Sequence, residues 1–305
     1  MARTRYASDR GLTSRMLVTM FLLGLVYVVF VGAFFVFVPE WAVVALVGAG
    51  LFLLAQYFFS DKMTLFAMRG RIVSPREAPE LHGVVDRICA MSDAPKPKVA
   101  IADSDVPNAF ATGRNQKNAV VCVTTGLLRR LDPVELEGVL AHEMAHVAHR
   151  DVAVMTIASF LGILAGLITR FGLYAGLWGG FGGRSRDQNT GLILLAVVAA
   201  SALAYAISFL LTRALSRYRE LSADRAAALL TGRPSALASA LTKVTGDIAR
   251  IPTRDLRSAQ AFNAFFFTPA LGRGVSVSSL FATHPPLDKR LAQLSKISDQ
   301  LSRGV

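Results

Sequence analysis

Two histidines, His142 and His146, stand four residues apart, and Glu143 directly follows the first. On an α-helix, residues four apart share a face about one turn apart. Both imidazoles can then offer a nitrogen to one metal ion, and Glu143 leans toward the same side. This HExxH pattern suits hydrolysis. A zinc ion lowers the pKa of water toward about 7, and a nearby carboxylate takes the proton as the water attacks a carbonyl. The bland alternative is two histidines on the polar face of an ordinary helix. The flanking residues supply the helix that the metal reading needs. Asp132 is placed as N-cap, Pro133 at the first helical position and Glu135 at the third, a capping-box arrangement. Leu136, Val139, Leu140 and Val147 form an apolar stripe at helical spacing. The helix is expected to end near Arg150-Asp151.

Two histidines leave a zinc ion short of a third protein ligand. The segment from Leu215 to Arg225 reads as helix, and within it Glu220 and Asp224 share a face. Glu220 suits the third ligand. Asp224 suits the acceptor that a ligand histidine uses for its other N–H. The alternative for both is pairing with Arg217 or Arg219 on a solvated face. His82 reads as a surface or packing histidine. His284, held by Pro285 and Pro286, reads as the histidine that opens the last helix.

Other elements must position these residues. A helix is expected from Ser74 or Pro79 to about Met91, with Leu81, Val84, Val85 and Ile88 on one face. Val99–Ala102 and Ala119–Thr124 read as strands. Asn108-Ala109-Phe110-Ala111 reads either as a loop or as an edge strand that pairs with an extended peptide. A small sheet beside the HExxH helix follows. Farther on, Ala236–Arg250 and Asp288–Leu301 read as helices, and Phe262–Phe267 as an aromatic loop.

The chain has 305 residues, of which 53% are hydrophobic and only 18% charged. Four apolar stretches account for the excess: Met16–Val38, Trp41–Phe59, Val152–Thr169 and Leu192–Leu211. Each lies within the range that spans a bilayer, and the alternative for Val152–Thr169, the shortest, is a buried core helix. Met16–Val38 is too long for a signal-peptide core and lacks a cleavage site after it, so it reads as a retained anchor. The net charge of +12 does not point to nucleic acid, because the basic residues cluster beside the apolar stretches. By the positive-inside rule the N-terminus, residues 60–151 and the C-terminal segment are cytoplasmic. Arg170, Arg184 and Arg186 dissent: either their loop is tolerated outside, or the third and fourth stretches form a shallow hairpin. Only about 9 Å of helix separates His146 from Val152, so the metal should sit close to the membrane surface. Cys89 and Cys122 lack metal-like spacing and read as free, reduced core thiols.

The expected fold is a mainly α membrane protein, with four transmembrane helices and a cytoplasmic α+β zinc-peptidase domain carrying a small sheet. Its parts are a basic tail (1–15), spans one and two (16–59), a peptidase half with the HExxH helix (60–151), spans three and four (152–211), and a peptidase half with the third ligand (212–305).

With HExxH, then Ser216-Arg-Tyr-Arg-Glu220-Leu-Ser-Ala-Asp224, then Thr283-His284-Pro285-Pro286, the chain resembles the HtpX family of integral-membrane zinc metallopeptidases. These are distant relatives of the CAAX prenyl proteases. The resemblance covers nearly the whole chain. It implies one Zn²⁺ held by His142, His146 and Glu220, with Glu143 as catalytic base. It implies that Asn108, within Asn108-Ala109-Phe110-Ala111, and His284 line the cleft and help stabilise the oxyanion. His149 departs from the residue common in other members and reads as surface. The family also implies a multi-pass inner-membrane protein of the stress and quality-control machinery. It would cleave misfolded membrane proteins or unfolded polypeptides at the cytoplasmic face, with other membrane proteases as candidate partners. Two other readings stand beside this one: a prenyl-peptide protease, and a catalytically silent membrane scaffold that binds lipid or a partner.

Overall fold

A computed structural model describes residues 10–37, 68–113, 115–151, 188–248 and 284–303, with scattered positions between 43 and 66 and between 154 and 166. The chain divides into two compact units: 1–13 with 58–153 and 216–305, and 14–57 with 154–215.

The first unit holds the HExxH segment. Its sheet has four strands: β1 (Gly70–Ile72), β2 (Lys98–Ala102), β3 (Ala109–Thr112) and β4 (Val120–Thr124), in the order β1-β2-β4-β3. β2 and β4 run parallel, and the two edge strands are antiparallel to their neighbours. Side chains alternate across the pleat. Val99, Ala109, Val121 and Val123 face the main core, whereas Ala100, Ala102, Phe110 and Cys122 form a small cluster with Leu65 and Met68 on the other face. The reading of Val99–Ala102 and Ala119–Thr124 as strands holds to within a residue. β1 was not expected. It is a three-residue strand at the end of a basic link, too short to show a period.

Helix α2 (Pro79–Ser92) starts at the second of the two candidate positions, with proline inside its first turn, and ends on Asp93 in the left-handed conformation. A short helix, α3 (Thr125–Leu128), leads to α4 (Pro133–Ala148), which carries HExxH. α4 packs on α2, on β3 and on α6 (Pro234–Ile248), and α6 packs on α7 (Leu287–Ser302). One core therefore surrounds α4, including Val85, Ile88, Val139, Leu140, Leu237 and Leu294. His82 is buried, and its Nε2 bonds the Val73 carbonyl at 3.1 Å, so it is a packing histidine. Burial pushes the Cys89 thiol up to about 11 and the Cys122 thiol to about 12, which leaves both protonated and unreactive.

α1 (Arg10–Phe37) starts within the basic tail rather than at Met16. α5 (Gln188–Thr231) is one unbroken helix of 44 residues that joins the fourth apolar stretch to the segment of Glu220 and Asp224. In the second unit Leu23, Ala158 and Leu215 pack together, and Thr212 Oγ1 donates to the Ala158 carbonyl at 3.3 Å. Among the described residues, one helix is long and apolar enough to cross a membrane, within Val198–Thr231, and a shorter apolar run covers Thr13–Val29. Leu17, Phe21, Val28, Leu195 and Leu203 are all more than half exposed. Such a display is unfavourable in water and suits lipid. Most of the second and third expected spans, the 170–187 loop and Phe262–Phe267 lie outside the described residues.

Candidate metal centre

The start of α4 is fixed by its own sequence. Asp132 Oδ1 accepts the N–H groups of Val134 and Glu135 at 2.9 Å each, and Glu135 Oε2 accepts the Asp132 N–H at 3.1 Å. This is the expected capping box. The same Glu135 carboxylate accepts Ser239 Oγ at 2.6 Å and Lys243 Nζ at 2.7 Å from α6. Burial pushes the Glu135 carboxyl up, but these donors outweigh it and hold it below its ordinary value. One turn on, Gly138 lets the backbone of Leu237 approach to 3.3 Å from where a Cβ would stand.

On the next turn the histidines converge. His142 Nε2 and His146 Nε2 are 3.2 Å apart. Glu220 closes the triangle from α5, with Oε2 3.6 Å from His142 Nε2 and Oε1 3.4 Å from His146 Nε2. One ligand atom from each residue lies within 4.8 Å of the other two. Glu220 Oε2 is buried without a hydrogen bond, with the Arg290 guanidinium no nearer than 4.0 Å, a costly state for a carboxylate oxygen unless a closer cation meets it. Two imidazoles and a carboxylate aimed at one point are the donor set of a catalytic zinc site, so the residues present fit that ion.

Each histidine is held from behind, as ligating histidines usually are. His142 Nδ1 lies 2.9 Å from Asp224 Oδ1. Arg290 grips Asp224 with two hydrogen bonds, Nε to Oδ2 at 2.7 Å and Nη2 to Oδ1 at 2.6 Å. His146 Nδ1 lies 2.6 Å from Asp151 Oδ2, and Arg219 Nε stands 3.0 Å from that same oxygen. Arg219 thus pairs with Asp151, rather than with Glu220 or Asp224 as the solvated-face alternative had it. Burial alone would favour neutral imidazole at His142, but its bonds to Asp224 and Glu220 push it up to about 9. Burial pushes the Asp151 carboxyl up, yet Arg219 and the bond from His146 outweigh it, so Asp151 stays ionised.

Glu143 is buried beside the triad, and its Oε2 accepts the N–H of Ala111 at 3.0 Å. Burial raises its pKa, partly offset by His142 and His146; a raised value makes a better proton acceptor near neutral pH. β3 is an edge strand. The Asn108 carbonyl accepts the Thr124 N–H at 2.9 Å, which sets the alternation: Asn108 and Phe110 turn their backbone groups to β4, whereas Ala109 and Ala111 turn theirs outward.

The structure therefore gathers His142, Glu143, His146, Glu220 and Asp224 in one place. His284 joins them, buried, with Nδ1 3.0 Å from Glu220 Oε2 but without hydrogen-bond alignment. Asn108 is buried with its backbone tied to Thr124. The ring of Phe110 packs on the far face of the sheet from α4. His149 was expected at the surface. It is half-buried as the C-cap of α4, and burial lowers its pKa.

Asp151, Arg219 and Arg290 did not stand out in the sequence as site residues. Five residues beyond His146, an unbroken helix would turn Asp151 about 140° away from it. The left-handed Arg150 (φ 57°) breaks the helix and redirects the chain. Arg290 comes from 66 residues beyond Asp224, and only its place six residues after His284 marks it.

Residues 75–298 match peptidase family M48. The chain is 66% identical over 302 residues to protease HtpX homolog 1 of Streptomyces coelicolor, covering 99% of this chain and 98% of that one. It is 51% identical to protease HtpX homolog 2 of Methanosarcina mazei, over 98% of this chain and 100% of that one. Among solved structures it resembles Ste24p of S. mikatae, with a TM-score of 0.53 at 17% identity, over 94% of this chain and 67% of that one, a likeness of fold. The chain belongs to peptidase family M48, and within it to the HtpX proteases.

Proposed function

We propose that this protein is a membrane-bound zinc endopeptidase that cleaves unfolded or misfolded membrane proteins at the cytoplasmic face of a cell membrane. The observation that carries the metal reading is the convergence of His142, His146 and Glu220, with both histidines anchored through Nδ1 on carboxylates. His142, His146 and Glu220 hold one zinc per chain. When bound, the ion supplies Lewis acidity toward water and toward the scissile carbonyl.

The rest of the reaction belongs to side chains. Glu143 takes the proton from the attacking water and delivers it to the leaving amine. An extended peptide lies along β3, pairing with the outward backbone groups of Ala109 and with the carbonyl of Ala111, whose N–H is held by Glu143. His284 and Asn108 are the donors for the developing oxyanion. Four spans anchor the catalytic unit, and the basic residues flanking them place it on the cytoplasmic side. Removal of damaged membrane proteins, a quality-control task, suits a cleft rooted so near the bilayer.

The deciding test pairs metal analysis with activity. Detergent-purified wild type should carry one zinc per chain and cleave a casein-like substrate. Glu143→Gln should keep the metal and lose at least about 10²-fold in rate, because Gln cannot accept the proton. Activity within about tenfold of wild type would mean that another base does the work. Full zinc content in Glu220→Ala would remove that residue from the ligand set.

A further inference from the structure

We infer that Asp151 is a positioning residue for His146, with Arg219 as its counter-charge, and that this pair sits between the two points where the chain leaves the catalytic unit and returns to it. The inference rests on the zinc reading above.

The geometry is specific. His146 has two ring nitrogens, and Asp151 Oδ2 takes Nδ1 at 2.6 Å. A carboxylate oxygen accepts, so Nδ1 carries the hydrogen and Nε2 presents its lone pair. Nε2 is the atom that faces His142 and Glu220. Asp151 therefore chooses the tautomer that can bind a metal and also fixes the plane of the ring.

Asp151 reaches that position only because of its backbone. α4 ends at Ala148, with His149 as its cap. Arg150 then takes φ 57°, a conformation that costs a non-glycine residue energy and persists only where its surroundings hold it. The result is a carboxylate that folds back on the helix it has just left, with only 2% of its side chain exposed. Arg219 meets the same oxygen at 3.0 Å from α5. A buried carboxylate needs such a partner, and Arg219 is the cation placed to supply it.

The location gives the pair its second role. The chain passes out of the catalytic unit after Ala153 and returns to it at Ser216. Asp151 is two residues before the first crossing, and Arg219 is three residues after the second. The ion pair thus ties the outgoing strand of chain to the returning one, and the oxygen that makes the tie is the one that holds His146. The His142 support differs, because Asp224 and Arg290 lie farther from either crossing.

The test uses the full-length protein in detergent. Wild type, Asp151→Ala, Asp151→Asn, Asp151→Glu and Arg219→Met are loaded with Zn²⁺, and zinc release to a chromogenic chelator is followed. Asp151→Ala should weaken zinc retention about 10–100-fold, the usual size of such support. Asp151→Asn, which keeps an acceptor without the charge, should fall between Ala and wild type, as should Arg219→Met. Loading with Co²⁺ adds a spectroscopic readout: the visible absorption band should shift in Asp151→Ala, and Asp151→Glu should move it back toward wild type. Thermal melting of the metal-free proteins separates positioning from folding. If Asp151→Ala does not fold, Asp151→Asn carries the comparison. Zinc release and cobalt spectra equal to wild type in both Ala and Asn overturn the inference while leaving the zinc site standing. A wild-type protein that holds neither metal overturns the zinc reading and this inference together.

Discussion

The two histidines proposed as metal ligands, His142 and His146, are backed by the same series of groups, imidazole to aspartate to arginine, built to different standards. On the His142 side, Asp224 is fully buried and Arg290 is 2% exposed, joined by two hydrogen bonds that occupy both carboxylate oxygens, while His142 Nδ1 stands 2.9 Å from Asp224 Oδ1 without hydrogen-bond alignment. On the His146 side, His146 and Arg219 are each 12% exposed. Arg219 approaches a single oxygen of Asp151 without hydrogen-bond alignment, and Asp151 Oδ1 is buried without a hydrogen bond. A buried, doubly bonded pair has one geometry, whereas a singly met carboxylate can turn. The difference teaches that one histidine is set by the core and the other by the edge of its unit.

The largest effect should come from breaking the deeper support. Arg290→Met leaves Asp224 buried without its cation and should cost about 3–5 kcal/mol in unfolding free energy. Arg219→Met should cost less than half of that. Denaturant unfolding of the two variants side by side checks this, and equal losses would erase the distinction between the supports.

A second probe is His284, on the same side, against Glu220. As an oxyanion donor it predicts that His284→Ala lowers kcat by about 10²–10³ with zinc retained. As an inhibitory fourth ligand it predicts unchanged or raised activity. Zinc content and kcat on this one variant separate the roles.

Smaller, but specific to His142, is a pH effect. In the metal-free protein its pKa is pushed up to about 9 by Asp224 and Glu220, against the opposing pull of burial. A raised value means that the protonated ring adds stability fully present below about 6.5 and lost as pH rises through about 9. Zinc must displace that proton, so apparent zinc affinity should climb up to about tenfold per pH unit across this window. Asp224→Asn should flatten the climb. An unchanged slope would show that Asp224 does not set the proton on His142.

The smallest change serves as the reference. Asp132→Ala removes the cap at the far end of α4 and should cost about 1 kcal/mol. It should leave zinc release at the wild-type rate. A faster release would mean that the helix start and the two supports are coupled.

The two ends of α4 also show what the sequence made legible. At the start, Asp132, Pro133 and Glu135 act over three residues, and local rules suffice to place the helix and so to set His142 and His146 on one face. Glu220 and Asp224 were found because a zinc site requires such groups and their spacing puts them on one side of a helix. At the other end, the reversal at Arg150 depends on tertiary contacts that give a non-glycine residue a left-handed conformation. No local pattern announces it, so Asp151 was missed and the helix was extended to it. Arg290 was invisible for a related reason: an arginine on an amphipathic terminal helix looks solvated until the fold buries it. The sheet was legible where β-branched runs were long enough to show themselves, as in β4, and not in β1, whose three residues carry no pattern.

Gly138 bears on how this protein can be made more robust. Replacing a glycine inside a helix by alanine ordinarily adds up to about 1 kcal/mol, and a propensity-guided stabilisation of α4 would choose this position. Here the added methyl would meet the Leu237 backbone at 3.3 Å, and α6 would have to retreat by a few tenths of an ångström. Ser239 and Lys243 ride on α6 and bond Glu135 at 2.6 and 2.7 Å, so the retreat would stretch both bonds. The gain in helix propensity is set against a displacement of a neighbouring element, and positions of α4 that face away from α6 avoid that trade.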